Sequence, residues 1–345
     1  MSVTIKDVAK HANVSPSTVS RVISNSDKIS EATKKKVRKV MNELGYHINL
    51  NARMLVQKTT QTIGVVMKHA TSEALHNPFF PELLSGISAE CHNQDYSLLL
   101  TTGNTEESIF NEVVKMAQGK LVDGIIVSYS KKTDKVVPYL QEIGIPFVVI
   151  GKPAEHAQKI MHVDNDNLLA GIEATEYLIE RGHEQIAFVG DDPEYQVVKD
   201  RLNGFENTLY KHQITIPEHY IQLGSWSAGL NQVVVEDLFK TRPYPTAIIT
   251  TTDTIGLYLL SALAARNIKV PEDMSVITFN NTLISQIATP KMTSVDIQTF
   301  QLGFEAAKSV IELIKNPNTF KKSIIIPSMI ISRTSTQQNK ETIKE

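Results

Sequence analysis

The residues best suited to chemistry sit near the start of the chain, in the run Ser15-Pro16-Ser17-Thr18-Val19-Ser20-Arg21. Serine followed by proline is a helix-start signal, because serine caps the first turn and proline fits the first helical position. In the helix that follows, Val19, Val22 and Ile23 share one face, which leaves Pro16, Ser17, Ser20 and Arg21 pointing outward. An arginine fork matches O6 and N7 of guanine, and hydroxyls beside a helix N-terminus suit phosphate oxygens. Pro16 and Ser17 are too short for bidentate contacts, so Arg21 is expected to carry more of any direct base readout. This is polyanion recognition, not bond making.

The charge distribution agrees. Residues 1–58 hold 11 Lys/Arg against 4 Asp/Glu, a balance of +7, while the rest of the 345-residue chain holds 24 against 33, a balance of −9. A small basic head on an acidic body is the pattern of a polyanion-binding module joined to something else.

Catalytic sets are missing. The sequence has no G-x-x-x-x-G-K-[ST], H-E-x-x-H or G-x-S-x-G motif, and its ten His are scattered. Asp164-Asn165-Asp166 lacks the glycine and distal Glu of a calcium loop. His183, after Arg181-Gly182, is expected to end a helix. The single Cys91 excludes intrachain disulfides and cysteine-cluster metal sites. Neither enzymatic activity nor a cofactor or metal is expected.

The outward-facing run needs a scaffold, and the neighbouring residues supply one. Thr4 with Asp7 three residues on is an N-terminal capping signal, and Ile5, Val8, Ala9 and Ala12 share a helical face. Asn13 breaks that helix before Ser15 starts the next. Ser30 caps a third helix over Glu31–Leu44, with Val37, Val40, Met41 and Leu44 inward and Gly45 at its stop. Two short helices joined by a tight turn, with a third in support, make a helix-turn-helix. The N-terminal end of the second helix is the part that enters a major groove. A three-helix bundle used for protein contacts is the alternative, and the charge favours DNA. Residues 49–56 then read as one or two helical turns, marginal alone in water, before a polar linker.

The body alternates strands and helices. Residues 63–67, 97–100, 124–127 and 147–150 read as buried parallel strands separated by helices near 81–95, 106–119 and 134–143. The pattern restarts with 186–189, 247–250 and 275–278, with helices near 167–182, 196–212, 229–240 and 253–267. Two α/β series imply two parallel-sheet lobes, with the cleft beyond the strands' carboxyl ends as the default ligand site.

Val3–Lys10 followed by Val14–Val22 resembles the head of the LacI/GalR repressor family. Asn77-Pro78-Phe79-Phe80, Val122-Asp123-Gly124-Ile125-Ile126, Val163-Asp164-Asn165-Asp166, Asp200–Phe205 and Phe279-Asn280-Asn281-Thr282 fall where that family's motifs fall. The similarity thus spans residues 2 to about 335. Within the family, Leu98–Asn104, Ser128-Tyr129-Ser130 and Val149–Pro153 are most similar to the maltose-operon repressors of low-GC Gram-positive bacteria.

The resemblance implies an N-terminal all-α helix-turn-helix head and a two-lobed α/β effector domain of the periplasmic-binding-protein type. The head spans 1–48, the hinge helix and linker 49–60, and the effector domain 61–340. The N-lobe takes about 61–162 and 292–322, and the C-lobe about 163–291 and 323–340. The resemblance places Pro16, Ser17 and Arg21 on base edges and gives phosphates to Thr4, Ser15, Ser20, Ser30, Thr33 and Tyr46. It makes 49–56 a hinge helix, with Asn49, Ala52 and Arg53 at the DNA and Leu55 as a minor-groove wedge. Ile48 stands where the family usually has Pro.

Phe79, Arg201, Trp226 and Asn280 take the family's effector-cleft positions, and Phe80, Tyr129, Lys152, Asp164, Asp253 and Asn281 complete the candidate set. Aromatic faces suit the C–H side of a sugar ring, and guanidinium, amide and carboxylate groups suit its hydroxyls.

The implied function is a transcriptional repressor of sugar-utilisation genes, maltose or a related α-glucoside, released from double-stranded operator DNA by a sugar. The alternatives are a global catabolite regulator co-repressed by a phosphorylated carrier protein and a sugar-binding transport component. The residues Met1–Asp7 lack a signal peptide's apolar core, and no stretch reaches the ~18 apolar residues of a membrane span. A cytoplasmic, nucleoid-associated protein without a membrane partner is expected. Without an apolar heptad after Ser332, a homodimer is expected rather than a tetramer, with a frayed, dispensable tail. Its interface candidates are the helix after Asp253 and the segment Phe79–Ile87.

Overall fold

The computed structural model describes residues 3–24, 26–46, 59–67, 77–224 and 230–339. Ile48, Asn49, Ala52, Arg53, Leu55 and Trp226 lie outside the described residues. The chain divides into two compact units at Thr60/Gln61.

The first unit holds three helices, α1 (Ile5–Ala12), α2 (Pro16–Ile23) and α3 (Glu31–Glu43). Each start is chemically marked. The Thr4 backbone N–H and hydroxyl both donate to the Asp7 carboxylate, at 2.8 and 2.7 Å. Ser15 Oγ accepts from the Thr18 N–H, and Ser30 Oγ from the Thr33 N–H. Asn13 ends α1 in the left-handed conformation, φ 50°. Val8, Ala9, Ala12, Val19, Val22 and Val37 form the buried core. These are the faces the periodicity predicts.

The second unit contains two six-stranded sheets. The first is built from β1 (Thr62–Val66), β2 (Ser97–Leu100), β3 (Gly124–Val127), β4 (Phe147–Ile150), β5 (His162–Asp164) and β11 (Ser323–Ile325), in the order β11-β5-β4-β3-β1-β2. All its pairings are parallel. The second contains β6 (Ile186–Gly190), β7 (Ile221–Leu223), β8 (Ala247–Thr250), β9 (Ser275–Phe279), β10 (Thr293–Asp296) and β12 (Met329–Ile331), in the order β12-β10-β9-β8-β6-β7. Only the β10–β12 pair is antiparallel.

The helices α4 (Phe79–Asn93), α5 (Glu106–Gln118), α6 (Val136–Ile143) and α12 (Thr299–Lys315) accompany the first sheet. With the second go α7 (Asn167–Ile179), α8 (Gln196–Lys211), α9 (Leu230–Leu238), α10 (Asp253–Ala265) and α11 (Leu283–Ile287). Glycines set two close helix contacts. A Cβ on Gly204 would lie 2.4 Å from the Leu168 carbonyl oxygen, and one on Gly171 2.4 Å from the Arg201 carbonyl oxygen. This brings α7 and α8 together and fixes the backbone of Arg201.

The chain passes between the sheets three times, after β5, β10 and β11. Asn165 Nδ2, in the first crossing, donates to the carbonyls of Ile297 in the second and Ile326 in the third, at 3.0 and 2.8 Å. The sheet memberships correct the expected exchange points. Thr293–Asp296 pairs with β9 in the second sheet, and Ser323–Ile325 with β5 in the first. Both strands are short. Thr293 and Ser294 are buried through hydroxyl bonding, so no apolar run marks β10.

One further expectation is narrowed and another is corrected. Leu83 and Ile87 of the Phe79–Ile87 segment are core residues against α12, not free interface positions. The C-terminal segment is anchored as far as Asn339. Ser335 is fully buried; its hydroxyl donates to the Val276 carbonyl and accepts from the Thr293 N–H at 2.8 Å. Gln337 N–H donates to Ser275 Oγ, and Asn339 Nδ2 to the Gly182 carbonyl. His183 lies just beyond α7 and is buried between Thr246 Oγ1 (3.0 Å) and the Gln337 carbonyl (3.2 Å). Burial holds its pKa below the ordinary value.

Candidate functional site

On the head, Ser15, Pro16, Ser17 and Arg21 are exposed around the first turns of α2. Ser17 and Arg21 stand one helical turn apart, so they share a face. Thr4 and Ser30 are exposed too, while Ser20, Thr33 and Tyr46 are half-buried. The hydroxyls are knitted locally. Ser15 Oγ lies 2.8 Å from Ser17 Oγ and 2.9 Å from Thr18 Oγ1, and Ser30 Oγ lies 2.9 Å from Thr33 Oγ1. These clusters hold the helix starts in shape and keep hydroxyls at the surface. The Thr4 hydroxyl proton is already given to Asp7. Of the basic run on α3, Lys34 is buried and paired with Glu31 at 2.8 Å, whereas Lys35, Lys36 and Lys39 are exposed.

In the second unit the residues beyond the carboxyl ends of both sheets converge on one cleft. Ser128 follows β3, Gly151 follows β4 and Asp164 ends β5. From the other sheet come Asp191 after β6, Thr251 after β8 and Asn280 after β9. This is where open parallel sheets bind ligands.

Phe79 and Phe80 form an aromatic corner at the start of α4, their rings edge to face at 5.2 Å. Arg201 is only 4% exposed. Its Nε donates to Asn167 Oδ1 at 2.9 Å, its Nη1 to the Thr251 carbonyl at 2.8 Å, and its guanidinium lies 4.1 Å from the Phe279 ring centre. Among the described residues Nη2 has no protein partner, and Arg201 lines the cleft. Burial pulls its pKa down, opposed by the charges of Asp164 and Asp253.

Asp164 accepts from Asn167 Nδ2 at 2.9 Å. Burial pushes its carboxyl up to about 7, with the charge of Asp200 acting the same way, while the Asn165 and Lys152 N–H groups and Arg201 oppose the shift. Asn280 has φ 102°, a region costly for a side-chain-bearing residue, and is held there by its N–H bond to the Val295 carbonyl.

Six sequence-selected residues therefore line the cleft: Phe79, Phe80, Tyr129, Asp164, Arg201 and Asn280. Three others do not. Asp253 is 1% exposed and accepts from Thr282 N–H (2.6 Å), Thr282 Oγ1 (2.9 Å), Ser294 Oγ (2.8 Å) and Thr278 Oγ1, so its lone pairs are spent inside the second lobe. Asn281 donates from Nδ2 to Asp296 and accepts from Arg333, bracing the turn from behind. The Lys152 side chain is exposed and outside the lining that includes its neighbour Gly151. Sequence reasoning missed Asn77, Ser128, Asn167, Asp191, Tyr195 and Thr251. Reading one residue past each predicted strand would have nominated Ser128 and Thr251.

Among the described residues, no helix is long and apolar enough to cross a membrane, and no cluster of His, Cys, Asp and Glu could hold a metal ion.

Residues 4–49 match the model of bacterial regulatory proteins of the lacI family, and residues 175–336 that of the periplasmic binding protein-like domain. The chain is 38% identical to the HTH-type transcriptional regulator MalR of Staphylococcus xylosus, over 97% of this chain and 98% of the relative. It is 39% identical to MalR of Streptococcus pneumoniae serotype 4, over 96% and 98%. The transcriptional regulator CelR, solved as its cellobiose complex, superposes with a TM-score of 0.75 at 27% identity, over 96% of this chain and 99% of that one. Helical head, paired parallel sheets and near full-length similarity agree: the chain belongs to the lacI family of bacterial regulatory proteins, DNA-binding transcriptional repressors and not enzymes.

Proposed function

We propose that this protein represses maltose or related α-glucoside utilisation genes and is released from its operator by a sugar bound between the two lobes. The observation that carries the reading is the cleft, where an aromatic corner shares one space with a buried guanidinium, two carboxyls and four amides. Flat rings cover the C–H face of a pyranose, and the convergent polar groups fix its hydroxyls. The names of the MalR relatives and the cellobiose in the CelR complex point to the same ligand class.

In this reading Arg21 forks onto a guanine, and Pro16 and Ser17 give apolar or single hydrogen-bond contacts. Thr4, Ser15, Ser20, Ser30, Thr33 and Tyr46 hold phosphates. Phe79, Phe80, Tyr129, Asp164, Arg201 and Asn280 hold the sugar. A coupling of only about 1–3 kcal/mol between cleft and head gives roughly 5–150-fold release.

The protein works as a cytoplasmic homodimer. Leu257 and Tyr258 of α10 and Leu283 and Ile287 of α11 are exposed apolar side chains on packed neighbouring helices, the last two at 62% and 68%. A patch of this kind needs a cover.

The test is a thermal-shift screen of sugars on the full chain, followed by operator binding with each hit. Maltose or an α-glucoside should raise the melting temperature and weaken operator binding. If no sugar does so, while a phosphorylated carrier protein strengthens operator binding, the co-repressor reading replaces this one.

A further inference from the structure

A second cavity shares Tyr129 and Tyr195 with the cleft. The rest of its wall comes from the first turns of α5, with Glu106, Glu107, Phe110 and Asn111, and from the loop leading into α6, with Lys131 and Lys135. The Tyr129 and Tyr195 rings meet edge to face at 6.5 Å. They form a common wall between the two spaces.

That wall is loosely held on one side. Tyr129 Oη reaches Asp134 Oδ1 only at 3.3 Å, long for a hydroxyl donor. Asp134 is already engaged by the N–H groups of Val136 and Val137, at 3.1 and 2.9 Å. Rotation of Tyr129 would therefore give up only one weak hydrogen bond.

The second cavity's chemistry is that of the cleft in a different arrangement. Three aromatic rings, Phe110, Tyr129 and Tyr195, stand beside carboxylates, an amide and ammonium groups. Lys131 Nζ pairs with Glu106 at 2.7 Å and lies 5.8 Å from the Tyr195 ring centre. Acidic and basic groups nearly balance, so neither a polyanion nor a polycation is favoured. A neutral polyhydroxyl ring is, because it can use aromatic faces, acceptors and donors together.

The cavity also lies where the two lobes touch. Lys131 and Tyr195 pair through their backbones, and Gln196 N–H donates to the Ser130 carbonyl at 3.1 Å. A chain occupying both spaces would grip this junction from each side.

We propose that the second cavity is a distal subsite for the third and later units of a linear α-glucoside whose first two units occupy the cleft. The proposal rests on the sugar reading of the cleft. It is tested by calorimetric titration of the full chain with maltose, maltotriose and maltotetraose. The longer sugars should bind about tenfold tighter than maltose or better, through slower release. Asn111 is exposed at the cavity's edge, so Asn111→Trp should fill the space without disturbing the fold. In that variant maltotriose and maltotetraose should fall to the affinity of maltose, with maltose unchanged. Equal affinities for all three sugars in the natural chain would overturn the subsite, as would a variant that keeps the chain-length preference. If maltose binds and releases operator DNA in that case, the cleft reading survives alone. If no α-glucoside binds at all, both fall.

Discussion

Arg201 Nε donates to Asn167 Oδ1 at 2.9 Å, and Asn167 Nδ2 donates in turn to Asp164 Oδ1 at the same distance. One amide thus links a guanidinium from α8 to a carboxyl at the end of β5. β5 belongs to the first sheet and α8 packs with the second, so this short relay crosses the cleft floor. A ligand that accepts from Arg201 and donates to Asp164 would replace nothing structural and would tighten the same relay. Ligand binding and lobe geometry are therefore expected to be coupled through these three side chains.

Arg201→Ala should abolish the response to sugar and leave operator binding intact, because Arg201 belongs to a unit separate from the head. It should also cost about 3 kcal/mol of body stability, since it strips the donor from the buried Asn167 amide oxygen and the Thr251 carbonyl. Chemical denaturation gives the second number and operator binding with and without sugar the first. A variant that still releases DNA at the same sugar concentration removes Arg201 from the site.

The Asp164 carboxyl should make stability depend on pH. Its folded pKa of about 7 lies above the ordinary value of 3.8, so the folded state holds the proton more tightly than the unfolded chain. The contribution is fully present below about pH 4 and is lost as pH rises to 7, by at most about 4 kcal/mol. Asp164→Asn, which keeps the shape without the charge, should flatten the stability profile between pH 4 and 7. Parallel profiles for the two proteins would contradict the burial argument.

Arg21→Ala should weaken operator binding by about 1–3 kcal/mol and binding to random DNA by less. The head fold should persist, because Arg21 is exposed and its neighbours Val19 and Val22 carry the packing. Equal losses on the two DNAs would reduce Arg21 to a phosphate contact.

The head and the central strands were legible in the sequence because capping residues and apolar periodicity are local signals. Thr4 with Asp7, Ser15 with Pro16, and the apolar run Ile125-Ile126-Val127 each announce their own element. The edge elements were not legible. β7, β11 and β12 are half-exposed three-residue strands, and β10 carries buried Thr293 and Ser294 where an apolar pair would signal a core strand. The cleft was half legible for a related reason. Arg201 and Phe79 stand out by chemistry, whereas Asn165 and Asn167 look like loop residues until the three crossings are brought together around them. Asp253 misled because a buried carboxylate saturated by Thr282, Ser294 and Thr278 reads in sequence like a ligand-binding one.

The anchored C-terminal segment gives a further test. Ser335→Ala removes the hydroxyl that accepts from the Thr293 N–H and donates to the Val276 carbonyl, leaving both backbone groups buried. A loss of about 1–3 kcal/mol is expected, and truncation before Ser335 should cost more. Unchanged melting after truncation before Ser335 would restore the frayed-tail expectation.

Assembly can be tested on the exposed α10–α11 patch. Leu283 and Ile287 stand one helical turn apart on a short helix, 62% and 68% exposed, while Leu257 and Tyr258 present apolar surface on the neighbouring α10. Isologous pairing of such a patch closes a two-fold dimer, and two heads can then read two half-sites. Light scattering at micromolar concentration should give a mass near twice 38.4 kDa. Ile287→Glu places a charge in the middle of the proposed contact, where pairing would bury it against its own copy. The variant should run near the monomer mass and lose most of its operator affinity, yet still bind sugar, since Ile287 is no part of the cleft lining. A variant that stays dimeric would move the interface elsewhere, and a natural chain near four times 38.4 kDa would refute the dimer itself.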